Sequence, residues 1–237
     1  MLKAPFISVR AVIKTYGGLR PLRVEDLAVA PGEVVVVQGM DESAAAVLVD
    51  LLTGTTLPDS GEVSVAGVPT ASIASQEAWL AFLEQFGIVN PRVVLLDELT
   101  VLQNLAVPLT LDVDPLPEGA RARARDLATL VGLPETLLDT SLAGASPLTR
   151  FRVRLGRAIA HAPAALLLEH PTLDLAPGDV RSAAGALRSV CRDGDRAVLV
   201  VSNDDSFGTA LESRRLTWTP SNGRLAERRG RLGWLGR

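Results

Sequence analysis

"VVVVQGMDESAAAVLVDLLTG", residues 34–54, decides how this chain is read. Its four consecutive valines admit no polar residue between them, so the strand they form must be covered on both faces. Gly39 stops the run, and the small and aliphatic side chains of residues 44–52 predict a helix lying against a sheet. A buried strand, a glycine turn and a helix in that order open an α/β unit. Upstream, residues 6–13 and 22–29 read as two more strands, and a Pro-Gly-Glu turn at 31–33 leads into the valines. Downstream, "TLPDSGEVSVAGVP" (56–69) offers a turn, a short strand and a second turn.

From about Asn90 the texture changes. "LTVLQNLAVPLTL" is followed by the acidic, proline-rich "DVDPLPEG" and an arginine-flanked helix at 120–131, which together read as a helical insertion. A second helix, 149–161, carries Arg150, Arg152, Arg154 and Arg157 on an otherwise apolar frame. The α/β pattern then returns, with a buried strand "AALLLEH", a helix at 180–192 and a last parallel-type strand "RAVLVVSND". The expected organisation is a core made of residues 1–88 and 158–237, with a helical subdomain at 89–157. No internal repeat or low-complexity linker interrupts it.

Composition narrows the function classes. The 237 residues are 47% hydrophobic, enough for a sizeable core. One cysteine, Cys191, excludes an internal disulfide framework, and no Cys/His cluster has metal-ligand spacing. A net charge of −3 gives no electrostatic reason to expect nucleic acid. No apolar run reaches the roughly 18 residues that span a bilayer, so a soluble chain is expected. The tail "RLAERRGRLGWLGR" places positive charge around Trp234 that could meet anionic headgroups, although a frayed, solvated terminus is the simpler expectation. The only lysines are Lys3 and Lys14.

The order of motifs resembles the ATP-binding cassette (ABC) subunits of transporters, in particular those of the lipoprotein and macrolide exporter group. "KTYGG" carries Tyr16 at the place of the aromatic that stacks on adenine, and "VAPGEVVVVQG" matches the approach to the phosphate loop. "GTTLPDSGEVSVAG" matches the stretch after its helix, and "FGIVNPRVVLLDELTVLQNLAVPL" the segment from the Q-loop glutamine into the helical subdomain. "RVRLGRAIAHAPAALLLEHPT" matches the helix after the signature motif with the Walker B strand, and "AVLVVSND" the strand before the switch histidine. The resemblance covers nearly all of the chain. It implies a P-loop NTPase-like α/β core with a parallel sheet, antiparallel N-terminal strands and a helical subdomain.

It also implies chemistry that this sequence does not carry. The family's phosphate loop reads G-x-x-x-x-G-K-[ST], because backbone amides wrap the phosphates, lysine neutralises them and a hydroxyl holds magnesium. Here Gly39 is followed by Met40, Asp41, Glu42 and Ser43, then by Ala44 for the second glycine, Ala45 for the lysine, and Ala46 and Val47 for the hydroxyl pair. Asp41, Glu42 and Ser43 are expected to cap their own helix, so Tyr16, Gly39 and Ser43 remain only weak nucleotide contacts. Asn90 replaces the Q-loop glutamine, Glu169 and His170 the Walker B pair, Asn203 the switch histidine and Ala176 the D-loop aspartate. His170 is expected to be a satisfied structural residue. The signature becomes Ala145-Ser146-Pro147-Leu148-Thr149, in which Ser146 alone survives.

Three functions follow. The first is a catalytically inactive subunit that uses no cofactor, pairs with a second ABC ATPase subunit as a hetero- or homodimer, and docks a membrane permease on the cytoplasmic face of the plasma membrane. The second is an active transporter ATPase, in which ATP and magnesium use an unusual loop. The third is a soluble regulatory or scaffold protein. Catalytic residues and a metal site are expected in neither the first nor the third.

Overall fold

The structure, a computed structural model, describes residues 4–192 and 194–227; Lys3, Trp234 and the tail beyond Glu227 lie outside them. Strand β1 (Ile7–Lys14) pairs antiparallel with β2 (Leu22–Val29) and with β4 (Ser60–Val65). The two-residue β5 (Val68–Pro69) completes a sheet of order β2-β1-β4-β5. Between β2 and β4 the chain forms β3 (Val34–Gln38) and helix α1 (Glu42–Leu52). Helix α2 (Gln76–Leu83) and β6 (Phe86–Val89) follow β5. Next come α3 (Val101–Ala106), α4 (Glu118–Leu130) and α5 (Pro147–Ala158). The chain then returns through β7 (Ala165–Glu169), α6 (Val180–Cys191), β8 (Ala197–Val201) and α7 (Asp205–Ala210). It closes with the hairpin β9 (Arg214–Thr219) and β10 (Arg224–Glu227).

The second sheet has the order β10-β9-β3-β8-β7-β6 and is parallel except for β10. Its central position explains the valines. Val35 and Val37 point into one core with Leu48 and Leu52 of α1, Val9 and Leu27 of the first sheet, and Leu167 and Leu199. Val36 points into the opposite core, with Leu166, Val198, Leu187, Phe207, Leu105 and Phe151. Alternation along β7 and β8 sorts their aliphatic residues the same way, as period-two geometry requires. Helices α3, α4 and α5 share the second core through Leu105, Leu127 and Phe151. The fully buried Asn104 of α3 shapes the loop before it, accepting from Leu96 N at 3.0 Å and donating to Leu96 O at 2.8 Å.

Some boundaries move from their sequence-based positions. Helix α1 begins at Glu42 rather than 44, because Asp41 caps it, and α5 begins at Pro147 rather than 149, because proline suits a first turn that needs no amide. The terminal stretch expected to be frayed opens with four residues in strand β10, which pair with β9 and lie beside β2 through Glu25 N to Gly223 O at 2.9 Å. No helix among the described residues is long and apolar enough to cross a membrane.

Candidate functional site

The ends of β3, β7 and β8 converge where the chain leaves the second sheet. At β3 the chain turns through Gly39, which has φ +93°, and buries the Met40 side chain completely. Asp41 is the N-cap of α1 and accepts from Ala44 N at 2.8 Å, which satisfies one of the amides a helix start leaves open. From the end of β8, Asn203 clasps the same turn: its Oδ1 accepts from Gly39 N at 2.7 Å, and its Nδ2 donates to Met40 O at 2.9 Å. The neighbouring Gln38 Nε2 donates to Asp205 at 2.7 Å. The turn is therefore tied to residues 203–205 by side chains as well as by the ladder.

A cavity of about 410 Å³ opens beside it, lined by Asp41, Glu42, His170, Thr172, Leu173, Ser202, Asn203 and Asp204. Three carboxylates and no arginine or lysine face this space. Ser43 is exposed on the first turn of α1. Ala44 and Ala45 are fully buried in the core beneath it, and Ala46 is half-buried. Tyr16 packs half-buried on the first core; burial raises its phenol pKa, and the nearby charge of Asp41 raises it further.

Glu169, the last residue of β7, is 2% exposed. Arg92 Nη2 reaches its two oxygens at 2.9 and 2.7 Å, and Asn90 Nδ2 donates to Oε1 at 3.3 Å. Burial raises the Glu169 pKa; Arg92 and Asn90 oppose the shift, and the charge of Asp50 adds to it. His170 departs from the expectation of a satisfied residue. Its N–H continues the ladder to Val201 O at 2.7 Å, but φ +40° takes it out of the strand's alternation, and its buried Nε2 has no hydrogen-bond partner among the described residues. Ser146 sits apart from the cavity lining and caps α5, accepting from Thr149 N at 3.2 Å. The described residues hold no group of three or more His, Cys, Asp or Glu able to bind a metal ion.

Asn203, Asp41, Glu42 and His170 are thus brought together around one space, with Glu169 and Asn90 paired beside it and Tyr16 close to Asp41. Arg92 was absent from the sequence-derived set. The signal that points to it is the buried glutamate closing "ALLLE", which demands a cation in a chain that has almost no lysine.

The ABC transporter family model matches residues 22–173. The chain belongs to the ABC transporter family. The lipoprotein-releasing system ATP-binding protein LolD of Bordetella pertussis is 33% identical over 212 residues, covering 86% of this chain and 89% of that protein. The L-cystine transport system ATP-binding protein TcyN of Escherichia coli is 29% identical over 228 residues, covering 93% and 88%. Among solved structures, the ATP-binding cassette MJ0796, in a dimeric post-hydrolysis state bound to ADP and Pi, aligns with a TM-score of 0.74 at 22% identity, covering 94% of this chain and 99% of that one. The α/β core with an antiparallel N-terminal sheet is the ABC ATPase fold.

An ABC subunit also meets other proteins. A groove of about 840 Å³ runs between α2, β6 and α5, with Leu80, Ile88 and Val93 against Arg154, Arg157 and His161. Arg157 Nη1 donates to Val94 O at 2.9 Å and His161 Nε2 lies 2.9 Å from Pro108 O, so the basic side of this groove is held in place.

Proposed function

We propose that this chain is a non-hydrolysing ABC subunit, which keeps the cassette fold to pair with a second ABC subunit and to dock a membrane permease at the cytoplasmic face of the membrane. The observation that carries the reading is the clasp on the turn: Asn203 occupies the Gly39 amide, Asp41 occupies the Ala44 amide, and the space beside them is walled by carboxylates. A bound triphosphate would have to displace both partners and approach three negative side chains. It would lack the family's lysine, whose charge-assisted contacts are each worth about 1.5–3 kcal/mol. The residues at this site therefore do not fit magnesium-bound ATP, and no hydrolytic step is assigned to them.

The groove walled by Val93, Arg154 and Arg157 is the proposed permease dock, formed where the core (1–88 and 158–237) meets the helical subdomain (89–157). LolD and TcyN, named for a lipoprotein-releasing and a cystine transport system, support a transporter role, and dimeric MJ0796 supports pairing. Calorimetric titration of the full chain with magnesium-ATP tests the site: no saturation is expected, and saturable micromolar binding would restore the active-ATPase reading. Affinity purification from a membrane fraction tests the role. A second ABC subunit and a permease should be recovered together, whereas a chain found wholly in the supernatant without them would favour a soluble scaffold.

A further inference from the structure

A carboxylate at the end of four aliphatic residues cannot stay charged without a partner, because removing an ion from water costs several kcal/mol. Glu169, 2% exposed, meets that demand with Arg92, whose single Nη2 stands 2.9 and 2.7 Å from the two carboxylate oxygens. The Arg92 side chain is 56% exposed, so it keeps most of its own hydration while neutralising a buried charge. A divalent ion binds carboxylate oxygens at about 2.0–2.6 Å and needs this same face of the group.

The segment around Arg92 is fastened at both ends. Asn90 donates to Glu169 and accepts from Val93 N at 2.9 Å, while Val94 O accepts from Arg157 of α5 at 2.9 Å. Val93 itself walls the large groove. The end of β7 and the groove are therefore joined by one short, hydrogen-bonded stretch whose electrostatic anchor is a side chain of the protein.

We propose that Arg92 is a positioning residue standing in for a divalent cation: its guanidinium closes Glu169 to metal and holds residues 90–94, and with them the wall of the groove, in one arrangement that needs no small ligand. This rests on the non-hydrolysing reading and deepens it.

The test uses the full chain without nucleotide, so its outcome is separate from that of the ATP titration. Thermal unfolding of wild type should be the same with or without millimolar MgCl2 or MnCl2. R92M should melt about 4–8 °C lower, and millimolar Mn2+ should recover at least half of that loss by occupying the vacated face of Glu169. R92K, which keeps the positive charge, should melt closer to wild type and ignore the metal. Hydrogen exchange at residues 90–94 should be about tenfold faster in R92M and slow again with Mn2+. R92M as stable as wild type, or equal metal responses in the two proteins, would overturn the proposal. If R92M does not fold, E169Q decides: an amide needs no counter-ion, so E169Q should fold near wild-type stability and remain metal-indifferent, and a severe loss there would equally overturn it.

Discussion

Replacing Gly39 with alanine tests why this turn carries a glycine. In a phosphate loop the glycine lets backbone approach a ligand; here a second reason is visible. At φ +93° an added Cβ would lie 2.7 Å from the Trp218 carbonyl oxygen of β9. That carbonyl cannot swing away freely, because Gln38 and Thr217 are register partners one residue before the contact. The positive φ alone costs a residue with a Cβ about 1–2 kcal/mol. Forcing the ends of β3 and β9 apart adds about 1–3 kcal/mol, the usual range for overpacking, so G39A should lose about 2–5 kcal/mol. Gly67 supplies the control: its φ is +78°, and nothing lies within 4 Å of an added Cβ, so G67A reads the dihedral penalty by itself. Urea unfolding followed by circular dichroism gives both values, and a melting scan should show G39A about 4–20 °C below wild type at about 2–4 °C per kcal/mol. If G39A falls within about 0.5 kcal/mol of wild type, or loses no more than G67A, the contact with β9 is not what holds glycine at this position.

Gly119, exposed on the first turn of α4 with open space around an added Cβ, should accept alanine with a gain of about 0.5–1 kcal/mol in urea unfolding. Burial pushes the Cys191 thiol up to about 11, so at neutral pH it is protonated and should react with iodoacetamide much more slowly than a free thiol; rapid labelling of the folded chain would contradict the burial. Glu169 has a folded-state pKa raised above its ordinary 4.5. Its ionisation therefore opposes folding, and its favourable contribution, complete below that value, is lost as pH rises through the raised one. E169Q should flatten the pH dependence of the urea midpoint above about pH 4.5 relative to wild type.

The two-faced burial of β3, and strands β7 and β8 of the same sheet, were legible because hydrophobic runs with no alternation have one good explanation. Helix α2 and the hairpin β9-β10 were not legible. Helix α2 is eight residues long and leaves Leu80 exposed, so its apolar residues trace no clean stripe. Strand β9 opens with two arginines, which oppose a strand reading; Arg214 is accommodated because Glu33 accepts from its Nε at 2.6 Å and the Ala28 carbonyl takes its Nη2. At the site, residues 39–47 display directly that neither a lysine nor a second glycine follows Gly39. The replacements were invisible: Asn203 reaches Gly39 across 164 positions and Arg92 reaches Glu169 across 77, distances over which no local pattern operates.

The indole of Trp218 donates to the Arg23 carbonyl at 2.7 Å, a contact spanning 195 positions that joins the two sheets. Strand β3 likewise takes both of its neighbours, β8 and β9, from the far end of the polypeptide. A chain emerging from the ribosome must therefore hold its valine-rich strand without flanking partners until nearly all of it has been synthesised. During that interval the unpaired apolar strand is the segment most prone to intermolecular association.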